Sequence, residues 1–257
     1  MSIEKFKPPS SPTGVILNKG KLSSSSTPFQ QRVNQAREAQ PDAASLPNRL
    51  CLMLDKSSSM SAYETQTKSR IELLKDAVNN FISRCNFNDT ALAIETFPSS
   101  IQVDLTNNSI LLQGAMFGID ASGNTPMQQC VQRVLTAVPL TRGIIVSDGE
   151  ATDWYDFTRD DPFEDDEPRK TVLPPGEALL VTYKEQGIPI DCVHIGGSSS
   201  GETLLRHIAE MTGGLYLKFT DVSAFANSFG FLTPGYRAQL TDGSMSAAQL
   251  GAKELKR

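Results

Sequence analysis

Short, almost continuous apolar runs alternate with helically spaced apolar residues along most of this chain, and that alternation constrains its fold most. Arg49–Asp55 (RLCLMLD), Thr90–Phe97 (TALAIETF), Arg142–Asp148 (RGIIVSD), Ile188–Ile195 (IPIDCVHI) and Leu215–Phe219 (LYLKF) read as buried strands. Between the first two, Ile71, Leu74, Val78, Phe81, Ile82 and Cys85 recur at helical spacing. Pro126 starts a longer helix with Met127, Cys130, Val131, Val134, Leu135 and Val138 on one face. Ile110–Phe117, Glu177–Gln186, Glu202–Thr212 and Val222–Leu232 read as further helices. A strand at Ile101–Thr106 follows Thr90–Phe97 after only Pro98, Ser99 and Ser100, too short a link for a crossover. It should therefore pair antiparallel, at an edge. The order predicts an α/β fold: a doubly wound, mostly parallel six-stranded sheet with one antiparallel edge strand and helices on both faces. A ligand site is expected beyond the carboxyl ends of the strands, near the switch point in strand order.

The segments outside this pattern are polar. Residues 1–47 are rich in Ser, Pro, Gln, Asn and Lys and cannot bury enough apolar surface to offset ordering entropy. They read as a flexible arm, with residues 48–232 as the folded domain and 233–257 as a C-terminal tail, either a short final helix or frayed. The first residues lack the apolar core of a secretory signal, and no stretch reaches the roughly 18 apolar residues of a membrane span. Four singly placed cysteines (Cys51, Cys85, Cys130, Cys192) form no CxxC pair and read as reduced core thiols, which points to the cytoplasm. With 24 basic against 29 acidic residues the net charge is −5, so nucleic acid and anionic membranes are disfavoured as partners.

Three strand-end segments are chemically alike. LMLDKSSSMSA runs from a buried strand into Asp55, Ser57, Ser58 and Ser59; SGNTP offers Thr125 before a helix; VSDGE offers Asp148 after another strand. The topology brings all three to one rim. Taken singly, Ser57 or Ser59 reads as a helix cap, Thr125-Pro126 as capping chemistry and Asp148-Gly149 as a turn. Taken together, two carboxylates and three hydroxyls, with no imidazole or thiolate, suit a hard divalent cation, Mg²⁺ or Mn²⁺ rather than Ca²⁺. A site with so few charged ligands leaves positions open for an outside carboxylate.

These residues resemble the von Willebrand factor A (vWA) domain with its metal-ion-dependent adhesion site (MIDAS). D-x-S-x-S falls on Asp55, Ser57 and Ser59, the later Thr on Thr125 and the Asp-Gly on Asp148; the resemblance spans roughly residues 48–232. It implies a Rossmann-like domain whose Mg²⁺ completes its shell with an Asp or Glu carboxylate of a protein partner. It also implies that Ser57 and Ser59 contact the metal directly and that Thr125 alternates between direct and indirect contact. Asp55 and Asp148 ligate or hold waters, and the last helix moves on binding. Intracellular relatives act as adaptors for AAA+ ATPases or in stress and defence complexes, so an adaptor or complex subunit is expected. Ser58, which the motif skips, should matter little. Two features depart from the family: Ser61 replaces a frequent Gly, and an acidic insertion, WYDFTRDDPFEDDE (residues 154–167), follows the Asp148 strand. Its Trp154, Tyr155, Phe157 and Phe163 read as exposed interface aromatics.

Catalysis is the weaker alternative. A Ser–His–Asp hydrolase needs a positioned base, but His194 falls inside a strand and His207 on a solvent-facing helix position. No nucleophile elbow, P-loop or dinucleotide G-x-G-x-x-G occurs. A Mg²⁺-dependent phosphohydrolase using Asp55, with Lys56 for charge, is the best enzyme alternative, although Ser57 stands where a second acid is wanted. A nucleic-acid-binding vWA module is the third reading.

Overall fold

A computed structural model of the chain describes residues 42–63, 67–98, 103–149, 151–154, 175–195, 199–219, 229–243, 246, 252 and 254–256. Most of the expected arm, residues 1–41, lies outside them, as do residues 155–174 of the acidic segment and 220–228 of the expected last helix. The end of the arm differs from expectation: Ala43–Ser45 form a 3₁₀ turn capped by Asp42, and Leu46 is buried.

Strands β1 (Asn48–Asp55), β2 (Thr90–Phe97), β3 (Val103–Thr106), β4 (Arg142–Ser147), β5 (Ile190–Ile195) and β6 (Tyr216–Phe219) are the six expected from the sequence. They lie in the order β3-β2-β1-β4-β5-β6, all parallel except β3, which pairs antiparallel with β2 at the edge. The six-strand count needs one correction. Glu254–Lys256, in the segment read as a tail, form a seventh strand, β7, antiparallel to β6. The segment also supplies a helix at Pro234–Thr241.

Helices α1 (Arg70–Arg84), α2 (Ser109–Met116), α3 (Met127–Ala137), α4 (Pro175–Glu185), α5 (Ser199–Thr212) and α6 (Pro234–Thr241) complete the fold. Leu50, Leu52 and Leu54 of β1 join the cluster packed with α1 and α2. Cys51 and Met53 face the other way, into the cluster with α3, α4 and α5. Burial of both faces is why the strand reads as a continuous apolar run. The described part of the expected last helix is a 3₁₀ turn, Phe229–Leu232, whose Phe229 ring lies 5.1 Å from that of Phe81 on α1.

A buried ionic cluster sits at the amino-terminal end of the parallel strands. Asp191, on β5, accepts two hydrogen bonds from Arg237 of α6, each 3.0 Å, and lies 3.6 Å from Arg142 of β4. Arg142 in turn donates to the Leu232 carbonyl. These contacts fasten the helix at 234–241 to the sheet, in a segment whose sequence reads as a tail.

Candidate functional site

Strand order reverses between β1 and β4, since β1 leads to β2 on one side while β4, β5 and β6 run away on the other. Asp55 ends β1 and Asp148 follows β4 directly, so the two acids lie at the switch point, where open α/β sheets leave a crevice.

Ser57 occupies the N-cap position of a 3₁₀ turn, Ser58–Ser61, but makes no side-chain capping bond. Its backbone N–H donates to Asp55 Oδ1 at 2.8 Å, and its hydroxyl lies 2.9 Å from the Ser59 hydroxyl. Ser59 then donates to Asp148 Oδ1 at 3.0 Å. Ser57, Ser59 and Asp148 thus form one hydrogen-bonded line across the rim. The following helix, α1, takes its cap elsewhere: Ser69 and Glu72 form a capping box.

Thr125 is positioned by its backbone. Its carbonyl accepts from Met127 N–H (2.8 Å) and from Thr152 N–H (2.9 Å), the latter beyond β4. Pro126 is the N-cap of α3 rather than its first helical residue, and Asp153 reaches across to accept from Gln128 and Gln129 N–H, both at 2.9 Å. Capping of α3 is therefore done by a distant carboxylate. The loop before Thr125 is tied to the Asp55 loop by Ser122 N–H on Lys56 O (2.7 Å) and Ser58 N–H on Gly123 O (3.0 Å). The Ser58 hydroxyl also donates to Gly123 O, at 3.1 Å. It braces two loops and takes no part in the Ser57–Ser59–Asp148 line.

Asp55 is fully buried, accepting from Ser147 Oγ at 2.5 Å as well as from Ser57. Burial pushes its carboxyl from 3.8 up to about 6; hydrogen bonds from Ser147 and Ser57 pull it down and the nearby Asp148 charge adds to the rise. Asp148 is buried too, and its second oxygen accepts from Arg70 Nη1 at 2.9 Å. The donor set fits a hard cation: two carboxylates close enough to repel, one held charged at a cost, and neutral hydroxyls beside them. Among the described residues no three His, Cys, Asp or Glu side chains converge, so the neutral hydroxyls would have to complete any shell that the two carboxylates begin.

The Asp148 loop is also fixed by close backbone packing. Gly149 has φ of 120°, and a Cβ there would lie 2.6 Å from Gly201 Cα in the first turn of α5. Gly149→Ala is expected to destabilise the domain by about 2 kcal/mol or more, through backbone strain and collision. Urea unfolding checks this; an unchanged midpoint would show that the loop relaxes freely.

One expectation needs correction. Trp154, read as an exposed aromatic, is buried and packs against the Gly176 position at the start of α4. His207, read as solvent-facing, keeps 35% of its side chain exposed and is paired with Glu177 of α4. Tyr155, Phe157 and Phe163 lie outside the described residues. His194 is buried in β5, as its apolar neighbours imply, with Nδ1 3.2 Å from the Tyr216 hydroxyl. All four cysteines are free thiols, three buried and Cys85 partly exposed.

Arg70, Ser147 and Asp153 were not singled out in the sequence. Arg70 carried one signal, a cation in the first turn of a helix, where the macrodipole opposes it. Ser147 precedes a motif residue. Asp153 had no signal, because the helix it caps begins far back along the chain.

Residues 50–150 match the von Willebrand factor type A domain family model. No curated protein sequence matches the chain. Solved structures with this fold include BatB from Bacteroides thetaiotaomicron, at 13% identity and a TM-score of 0.55, over 76% of this chain and 99% of that one. The SpRpn10 VWA domain matches at 17% identity and 0.51, over 70% and 94%. The vWF domain of the type V pili tip protein Mfa5 from Porphyromonas gingivalis matches at 12% and 0.52, over 78% and 97%. At such identities the likeness speaks for the fold alone. No helix among the described residues is long and apolar enough to cross a membrane.

Proposed function

We propose that residues 48–232, supported as a vWA domain by the family match and the shared fold, form a metal-dependent protein-interaction module. Asp55, Ser57, Ser59, Thr125 and Asp148 would hold Mg²⁺, or Mn²⁺, at the β1/β4 switch point. A bound cation supplies an electrophilic centre for a carboxylate from outside. In this reading the protein is a non-enzymatic, cytoplasmic adaptor or complex subunit. Its partner is a protein presenting Asp or Glu, with an AAA+ ATPase or a stress or defence complex as the assembly it serves. Domains of this family are generally interaction modules.

One observation carries the proposal. The hydroxyls that could have been helix caps do no capping, and two of them line up toward a buried acid pair instead. Ser69 and Asp153 do the capping. A carboxylate held at about 6 by burial is costly at neutral pH, and a cation would offset that cost.

Titration calorimetry with Mg²⁺ and Mn²⁺ tests the site. Ser59→Ala is expected to weaken cation binding at least tenfold, and Ser58→Ala to change it less than threefold, since only Ser59 reaches Asp148. Equal effects of the two would refute the assignment. For partner capture, affinity purification with and without EDTA should lose the same proteins as Asp55→Ala does.

A further inference from the structure

We infer that Arg70 is a built-in rival of the divalent cation, keeping the affinity of the partner-free site low. The inference rests on the cation reading above and concerns how tightly the site is held shut. Arg70 is the first residue of α1, a position where the positive end of the helix dipole disfavours a cation. The start of the helix is already capped by Ser69 and Glu72. The guanidinium reaches Asp148, with Nη1 2.9 Å from Oδ2. The pair is largely withdrawn from solvent, with 22% of the arginine side chain and 8% of the aspartate exposed, so salt screens it weakly.

Asp148 is thereby satisfied on both oxygens, by Ser59 on Oδ1 and Arg70 on Oδ2. Of the two acids at the rim, one is already neutralised by a charge belonging to the chain. A cation entering there must share Asp148 with a fixed positive charge, or displace it. Arg70 therefore imposes a repulsion that falls on the cation and not on the carboxylate of a partner, which it attracts. Binding energy from an acidic partner would then be needed to hold the loaded state, and the isolated domain would bind metal poorly.

The experiment measures Mn²⁺ binding by calorimetry to wild type, Arg70→Gln, Arg70→Met and Arg70→Lys, in the full chain, with thermal unfolding as a check on folding. Removing the charge should tighten binding by roughly 10- to 100-fold in Arg70→Gln and Arg70→Met, while Arg70→Lys stays within about threefold of wild type. A tighter site cannot arise from misfolding, so the direction itself is diagnostic. Unchanged or weaker binding in both neutral variants, with wild-type unfolding midpoints, overturns the rivalry and leaves the cation site standing. Absence of binding in every variant removes the cation site itself, and the inference with it.

Discussion

Replacing Asp55 with Asn is expected to stabilise the cation-free domain at pH 7 while abolishing cation binding and partner capture. Asp55 is fully buried, and burial raises its carboxyl from 3.8 to about 6, so the folded protein binds this proton more tightly than the unfolded chain. Stability from this group is therefore full below the unfolded pKa and is lost as pH rises through about 6. At pH 7 the charged form costs about 3 kcal/mol at most, of which an uncharged Asn should recover about 1–3 kcal/mol. Urea unfolding in EDTA reads this directly. Wild type gains stability between pH 7 and pH 4; the variant lacks that gain and starts higher. Adding Mg²⁺ restores wild type by mass action and leaves the variant unmoved. If Asp55→Asn were less stable than wild type in EDTA at pH 7, the carboxylate would be a structural acceptor for Ser57 and Ser147.

At the opposite pole, Asp191→Ala should cost about 3–5 kcal/mol, because it strands a buried charge. Arg142 is almost wholly buried, and burial lowers its guanidinium to about 10 even with Asp191 pulling it up. Without Asp191, Arg142 and Arg237 face each other with no carboxylate between them, and Leu215 N–H loses its acceptor at 2.8 Å. Arg237→Ala should cost less, about 1–2 kcal/mol, since Asp191 keeps Arg142 nearby. Denaturant midpoints check both. Mn²⁺ affinity of the folded Asp191→Ala protein should equal that of wild type, because Asp191 lies near the start of β5 and the acid pair at the carboxyl ends of β1 and β4. A matched loss of cation binding would mean that the two poles are coupled.

The strands were legible because strands covered on both faces must be apolar on both, and Leu50 to Leu54 could belong to little else. The same logic hid β7: Glu254, Leu255 and Lys256 sit at an edge, where no apolar run is required, and three residues show no period. The acid and hydroxyl positions were legible as a pattern, but their division of labour was not. Whether Ser57 caps a turn or faces Ser59 depends on which group satisfies the next helix, and that group proved to be Ser69. Trp154 was misread because it stands at the head of an acidic run, and charge density said nothing about the α4 surface it packs against. Asp191 did carry a signal, an acid inside IDCVHI. Its meaning needed Arg237, whose partner no local spacing could name.

The strand order also bears on what backbone the sheet offers to a second copy. β1, β2, β4 and β5, the longer strands with the most backbone to offer, are all interior. One margin is the short β3, with Asp104 exposed along it, and the other is the three-residue β7. Short margins with charged residues are poor templates for a second copy's backbone. Removing residues 254–256 would leave β6, buried along its whole length and carrying Tyr216, Leu217 and Phe219, as the new margin, turning a protected edge into an aggregation-prone one.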